Sequence, residues 1–199
     1  NAIKRNAFYL ISSEYENGEI IIDKILNDNP ILNSYEIFKL FSKEYKIKFP
    51  NSRQIEPFEL STKYSELCFN QITKFASPRE GMFEILNYLL DMRIGCYLIS
   101  ATPEYDLKKI VLNLDLNKYF KSVFGAPETK EKIITRIISR EAIPKKSFFY
   151  IGDNIKDYIA SQVAGCNFIP ISDNEEFDKI NQNVFNNLYD LIKIFESKI

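Results

Sequence analysis

The sequence predicts an α/β fold in which a parallel-sheet core follows an all-helical unit. Residues 1 to about 75 carry apolar side chains at helical spacing without a strand pattern, whereas short apolar runs begin after residue 94. These later runs alternate with helical stretches, which favours a parallel sheet with right-handed crossovers. A chain of 199 residues with 45% hydrophobic content can bury such a core. We therefore expect a helical unit at 1–76 and a sheet core at 77–199.

The helical unit is predicted to contain about four helices. Asn33, with Glu36 three residues later, resembles a capping box that opens the third of them. The segment from Lys46 to Pro57 contains two prolines and is typical of a loop. The aromatic side chains of this unit are interpreted as its own core. The predicted helices cover approximately 3–15, 20–26, 33–45 and 58–75.

The core begins with a helix-start signal at Ser77-Pro78-Arg79-Glu80. This run combines an N-cap Ser, Pro at the first helical position and Glu at the third, so the helix is expected to run from here to near Gly95. Four strands and four further helices are expected to alternate after it. The strands are predicted at 96–99, 123–124, 148–151 and 168–171, with helices near 103–113, 130–140 and 158–160 and a terminal helix ending near 195.

The stretch from Phe148 to Asp157 carries the strongest functional signal. An apolar run ends in Gly152 and is followed by Asp153 and Asp157, four residues apart. The pattern predicts a buried parallel strand that delivers both carboxylates to its C-terminal end, where open α/β sheets bind ligands. Two close carboxylates in a chain without histidine favour a hard cation such as Mg2+. The alternative is a strand followed by a helix with Asp153 as its N-cap.

Two further polar residues follow predicted strands. Ser100 precedes a helix opened by Thr102-Pro103, whose free amides suit a phosphate; the alternative for Ser100 is a capping role. Lys130 lies at a loop-to-helix junction, and its charged neighbours allow the alternative of a solvated surface run. Because the carboxyl ends of parallel strands share one edge, Ser100, Lys130, Asp153 and Asp157 are expected within about 10 Å of one another.

Composition excludes several function classes. The net charge of −1 is evenly spread, with 10 basic and 10 acidic side chains in residues 1–75, which argues against nucleic acid or an anionic membrane as the main partner. The three cysteines are far apart and set among apolar neighbours, so reduced, buried thiols in a cytoplasmic protein are expected. The absence of histidine excludes histidine triads, bases and metal ligands.

The order, spacing and structural context of these residues resemble the motifs of the haloacid dehalogenase-like (HAD) hydrolase superfamily. Ser100 within 98–104 looks like its second motif, Lys130 like the third and 152–157 like the fourth, while 164–166 matches the small-residue turn that usually follows. The resemblance covers about 77–175 directly. It implies a Rossmann-like core, with the helical unit as the cap of the phosphoglycolate phosphatase-like branch.

The resemblance also implies roles for the matching positions. Ser100 would bind the transferring phosphoryl group, and Lys130 would neutralise its charge and that of the nucleophile. Asp153 would ligate Mg2+, and Asp157 would orient the metal's waters or Lys130. These roles suit in-line phosphoryl transfer, which depends mainly on charge neutralisation and positioning.

The sequence departs from the family in its first motif. An Asp-x-Asp that supplies the nucleophile and the general acid/base is expected at the end of the first strand, and no Asp-x-Asp occurs in this chain. Residues 1–8 look like the run that follows that motif. The N-terminal strand of the core is therefore expected to be missing, with its two acids just before Asn1, either truncated or lost.

The resemblance implies that the full-length parent protein is a Mg2+-dependent phosphatase of a small soluble phosphomonoester, working through an aspartyl-phosphate. Without the nucleophile, the 199-residue chain itself is expected to be inactive. Hydrolysis of carbon–halogen or carbon–phosphorus bonds is disfavoured, because Ser100, Lys130 and the two acids suit phosphate. From another class, the chain is alternatively a non-catalytic binding or regulatory module on the same scaffold.

Overall fold

The computed structural model describes residues 2–29, 32–172, 177 and 184–196 of the chain. It divides into two compact units, Asn1–Ala76 and Ser77–Ile199. Among the described residues, no helix combines the length and apolarity needed to cross a membrane. The observed combination of helices and parallel strands confirms the predicted α/β class.

In the described residues of the first unit, 2–29 and 32–76, the regular secondary structure is entirely helical. The predicted capping box is confirmed: the Asn33 side chain accepts from the backbone N–H of Glu36, and the Glu36 carboxylate accepts from that of Asn33, each at 3.0 Å. The third helix extends to Lys48, so the loop before the fourth is shorter than expected. The helices are α1 (Ala2–Ser12), α2 (Gly18–Asp28), α3 (Ser34–Lys48) and α4 (Pro57–Phe75).

The core of this unit is rich in aromatic residues, as expected. Phe38 and Phe41 of α3 are fully buried, and the Phe8 ring of α1 lies 5.3 Å from the Phe38 ring. The Tyr64 ring of α4 lies 4.3 Å from that of Phe8, so three helices meet around one aromatic cluster. Burial of each large apolar side chain stabilises the unit by about 1.5–3 kcal/mol relative to exposure.

The second unit contains two pairs of parallel strands. Strand β1 (Tyr97–Pro103) pairs with β2 (Ser122–Ala126), and β3 (Phe149–Gly152) pairs with β4 (Asn167–Pro170). The register aligns Ile99 with Phe124 and Ile151 with Ile169. The helices of this unit are α5 (Met82–Asp91), α6 (Glu104–Asn113), α7 (Lys130–Glu141), α8 (Ile155–Ala164) and α9 (Leu191–Glu196).

Each of β1 and β3 has one strand partner among the described residues, so the strands form two separate two-stranded sheets. The two sheets still share packing, because Ile99 of β1 packs against the buried cluster that contains Tyr150 of β3 and Phe168 of β4. This arrangement leaves one backbone edge of β1 and one of β3 without a ladder partner in the described part of the chain. The expectation that a core strand is missing stays a prediction.

The predicted helix start at Ser77 is wrong, because α5 begins only at Met82 after Gly81, which has a φ of 79°. Tertiary contacts hold residues 77–80 out of the helix: the Leu188 N–H donates to the Glu80 carbonyl at 2.8 Å, and the Arg79 guanidinium donates to the Asn186 carbonyl at 3.0 Å. A Cβ atom at Gly81 would lie 2.1 Å from the Tyr189 nitrogen, so the close approach of this loop requires glycine.

Strand β1 is longer than predicted. We expected it to end at Ile99, before Ser100, but it runs to Pro103. The regular pairing with β2 does stop at Ile99 and resumes only at Pro103, opposite Ala126. Ser100 therefore lies in an irregular part of the strand, where the ladder to β2 is interrupted.

Candidate active site

The fourth predicted motif lies at the junction of β3 and α8. Asn154 is the N-cap of α8, and its side chain accepts from the Asp157 N–H at 3.1 Å. The alternative in which Asp153 caps this helix is therefore wrong. The capped turn carries the Asp157 side chain back over Gly152, where a Cβ atom would lie 2.4 Å from the Cβ of Asp157. Glycine at 152 is required for this close packing.

Asp157 and Lys130 form an ion pair between two different strand ends. Lys130 is the first residue of α7, which follows β2, and Asp157 lies in the first turn of α8, which follows β3. The Lys130 ammonium donates to the Oδ1 atom of Asp157. The carboxylate is 4% exposed and the lysine side chain 22% exposed. The contact removes the alternative in which Lys130 is an ordinary solvated surface residue.

Tyr150 is a member of this cluster that we did not predict from the sequence. Its hydroxyl donates to Oδ1 of Asp157 at 2.7 Å, and the ring packs 6.3 Å from that of Phe168. Burial, together with the Asp157 carboxylate, raises the pKa of the Tyr150 phenol, so the hydroxyl keeps its proton. The usable signal in the sequence was a phenol inside an otherwise apolar strand, because a buried tyrosine hydroxyl needs a partner.

Ser100 is held by hydrogen bonds within the irregular end of β1. Its hydroxyl donates to the Thr102 hydroxyl at 3.0 Å and accepts from the Thr102 N–H at 3.1 Å. The N-terminus of α6 carries two carboxylates, those of Glu104 and Asp106. These acids already complement the positive end of the helix, so the hydroxyl is better suited than the helix end to contact an anion.

Asp153 lies beside the cluster in the sequence and is exposed. Its Oδ1 atom accepts from the Asn154 amide at 3.0 Å. Its carboxylate suits Mg2+ in chemical type, whereas Oδ1 of Asp157 is already engaged by Lys130 and Tyr150. No group of three cysteine, aspartate or glutamate side chains that could hold a metal is found among the described residues. The described residues thus fit one carboxylate ligand and not a full protein cage.

Of the four predicted site residues, the structure brings Lys130 and Asp157 into direct contact and adds Tyr150 to them. Ser100 bonds to Thr102, and Asp153 to Asn154. The convergence of Ser100 and Asp153 on the Lys130–Asp157 pair stays a prediction.

Known protein sequences are similar to this chain. A family model described as haloacid dehalogenase-like hydrolase matches residues 21–171. An uncharacterised protein of Methanocaldococcus jannaschii is 24% identical over 164 residues, and phosphoglycolate phosphatase of Photorhabdus laumondii is 27% identical over 97 residues. The aligned parts cover 77% and 46% of this chain, but only 64% and 40% of the relatives' own lengths.

Solved structures share the fold at low identity. A proposed β-phosphoglucomutase from Thermotoga maritima superposes with a TM-score of 0.74 at 13% identity, covering 100% of this chain and 93% of the other. CbbY from Rhodobacter sphaeroides in complex with phosphate gives 0.68 at 12%, covering 96% and 89%. A proposed HAD hydrolase, YfnB from Bacillus subtilis, bound to magnesium, gives 0.68 at 17%, covering 98% and 92%. The chain belongs to the haloacid dehalogenase-like hydrolase family.

Proposed function

We propose that the protein is a Mg2+-dependent phosphatase that hydrolyses a small soluble phosphomonoester through an aspartyl-phosphate. The observation that carries the proposal is the partly buried Lys130–Asp157 pair, which holds an ammonium group beside the ends of β2 and β3. A cation held at this edge of a parallel fold suits a transferring phosphoryl group, whose reaction depends on positioning and charge neutralisation.

In the proposed reaction, Lys130 neutralises charge on the phosphoryl oxygens and on the nucleophile. Asp157 fixes the ammonium, and the Tyr150 hydroxyl in turn fixes Asp157 through the same Oδ1 atom. The Asp157 carboxylate is buried and accepts hydrogen bonds from two side chains. It is therefore suited to orient Lys130 and poorly suited to move and act as a nucleophile. We assign Asp157 and Tyr150 as positioning residues.

Ser100 is proposed to contact the phosphoryl oxygens through its hydroxyl, which lies where the β1–β2 ladder is interrupted. Asp153 is proposed to hold Mg2+, and its exposed carboxylate leaves room for water and phosphate oxygens as other ligands. When bound, the cation would offset negative charge that develops on the phosphoryl group. The helical unit is proposed to act as the cap that selects the substrate.

The nucleophile is proposed to lie outside these residues. The chain contains no Asp-x-Asp, and each of β1 and β3 has one strand partner in the described part. A strand that paired between β1 and β3 would end at the same edge as both of them, and would deliver carboxylates towards Lys130. We propose that such a strand carries the nucleophile and the general acid/base.

The test compares the 199-residue chain with a version extended by the sequence upstream of Asn1 in its own gene. Phosphate release is measured with Mg2+ across a panel of small phosphomonoesters. The extended protein should turn over a member of the panel, and the 199-residue chain should stay at background. Loss of a nucleophile that works as part of a unit typically lowers kcat by several orders of magnitude. An ordinary enzymatic rate from the 199-residue chain would place the nucleophile among its own acids.

The missing motif also favours a second candidate, a non-catalytic binding or regulatory module on the same scaffold. Such a module would bind a phosphorylated metabolite without hydrolysing it, even in the extended form. The sequence upstream of Asn1 separates the two candidates: an apolar run that ends in Asp-x-Asp supports the enzyme.

The three cysteines are free thiols, which agrees with a proposed location in the cytoplasm.

A further inference from the structure

The helical unit contains a pocket of about 560 Å³ between the second half of α3 and the loop that leads to α4. Small-molecule sites typically measure roughly 300–1,000 Å³, so the volume suits a metabolite. All the lining residues lie between 39 and 57. The pocket is therefore formed by the helical unit alone, and an inference about it does not depend on the proposed phosphatase site. We call it the basic pocket.

The charge of the basic pocket differs from that of the chain. Its lining includes four cationic side chains, Lys39, Lys43, Lys46 and Arg53, and no carboxylate. The whole chain, in contrast, carries 26 basic and 27 acidic residues. Glu44 and Glu56 are neighbours of the lining residues in the sequence, but neither lines the pocket.

Three lysines lie on one face of α3, at positions separated by four and three residues. Like charges at this spacing weaken a helix unless an anion compensates them. Within the described part of the chain, Lys39, Lys43 and Arg53 take part in no ion pair. Their charge is thus available to a ligand.

The loop of the basic pocket is tied to α3 by hydrogen bonds. The Ser42 hydroxyl donates to the Ile55 carbonyl at 2.6 Å, and the Lys46 ammonium donates to the Ser52 carbonyl, also at 2.6 Å. Tyr45 and Ile55, both buried core residues, supply apolar surface to the lining. The pocket therefore combines cations with an apolar wall, and hydrogen bonds join its loop to α3.

We propose that the basic pocket binds a small organic phosphate. Lysine is a common phosphate ligand, acting as a point charge, and the apolar wall provides contact for a carbon skeleton that a bare anion does not have. The limited volume favours a small molecule over an acidic peptide or a nucleic acid strand.

The test uses the 199-residue chain, labelled with 15N, and follows backbone amide shifts as glucose 6-phosphate, inorganic phosphate or glucose is added. Glucose 6-phosphate should give saturable shifts in residues 39–57, inorganic phosphate should bind more weakly, and glucose should give none. Raising the salt concentration should weaken binding by the unmodified protein, because exposed charges are screened.

The variant Lys39→Gln/Lys43→Gln should raise the dissociation constant for glucose 6-phosphate about tenfold. The matched control, Lys24→Gln/Lys74→Gln, removes two exposed lysines from the same unit outside the pocket and should leave the constant unchanged. Circular dichroism checks that both variants keep their helices, and all four positions are exposed.

The proposal is overturned if shifts do not saturate, if they fall outside residues 39–57, or if the control variant weakens binding as much as the pocket variant. It is also overturned if inorganic phosphate binds as tightly as glucose 6-phosphate, since the apolar wall would then contribute nothing. Binding of a single-stranded oligonucleotide without binding of glucose 6-phosphate would replace the small molecule with a nucleic acid.

Discussion

The Tyr150 hydroxyl donates a 2.7 Å hydrogen bond to Oδ1 of Asp157, across the junction of β3 and α8. The same oxygen accepts from the Lys130 ammonium, so one buried atom joins a strand, the helix that follows it and the helix that follows β2. This shared oxygen holds the Lys130 ammonium in one position relative to β3, α7 and α8.

Replacement of Asp157 by asparagine should destabilise the protein. Asp157→Asn leaves the partly buried Lys130 without its carboxylate, and we expect a loss of about 1–3 kcal/mol in the free energy of unfolding, reduced from the fully buried case because the lysine retains some exposure. Urea denaturation measures it. The control Glu14→Gln breaks the exposed pair with Lys63 and should cost about 0–1 kcal/mol. Equal losses in both variants would show that burial does not strengthen the Lys130–Asp157 pair.

Removal of the Tyr150 hydroxyl should weaken the same cluster. Tyr150→Phe keeps the ring against Phe168 but deletes the hydrogen bond to Asp157, which should cost about 1–2 kcal/mol. Tyr158→Phe is the matched control, because the Tyr158 ring packs 5.6 Å from the same Phe168 ring, and its change should be within about 0.5 kcal/mol. A double-mutant cycle with Asp157→Asn should show a coupling of about 0.5–3 kcal/mol. Simple additivity would show that the hydroxyl does not act through Asp157.

Gly152 should not tolerate a side chain. In Gly152→Ala, the new Cβ would lie 2.4 Å from the Asp157 Cβ and 2.8 Å from its Cγ, so the carboxylate has to move, at a cost of about 1–3 kcal/mol. At Gly95 the nearest atoms belong to the flexible end of Lys121, and Gly95→Ala should therefore be nearly neutral. Thermal melting of both variants checks this. A stable Gly152→Ala protein would mean that α8 shifts freely relative to β3.

Asp153 should matter for Mg2+ and little for folding. In the protein extended upstream of Asn1, Asp153→Asn should raise the Mg2+ concentration that gives half-maximal phosphate release by at least about tenfold. Its unfolding free energy should change by less than about 0.5 kcal/mol, because the carboxylate is exposed. The control Asp91→Asn, at an exposed position in α5, should alter neither quantity. An unchanged Mg2+ dependence would remove Asp153 from the proposed metal site.

The thiols should react slowly in the folded protein. Burial raises the pKa of the Cys96 and Cys166 thiols, so at about pH 9 they stay more protonated in the folded protein than in the unfolded chain, where thiolate is the main form. Their contribution to stability is present below the unfolded pKa of about 8.5 and is lost as the pH rises above it. Labelling with a thiol-reactive disulfide should be slow in buffer and fast in denaturant. Equally fast labelling in both would show that these sites open readily.

The sequence alone determined the features that depend on local patterns. Helical spacing located α1 to α4, and Asn33 with Glu36 located the start of α3, because a capping box needs only residues three apart. The apolar run that stops at Gly152 likewise identified β3 and the carboxylates beyond it. The resemblance to the family predicts a shared role for Lys130 and Asp157, whose side chains are in contact.

Tertiary structure decided which residues far apart in the chain contact one another. The helix signal at Ser77 failed because two tertiary hydrogen bonds, from Arg79 to the Asn186 carbonyl and from the Leu188 N–H to the Glu80 carbonyl, outweigh a local preference of about 1 kcal/mol. The bond from Tyr150 to Asp157 depends on the angle at which α8 leaves β3, which no periodicity encodes. Local propensities are small and depend on neighbouring residues. The position of a side chain in the site depends instead on the packing of elements far apart in the chain.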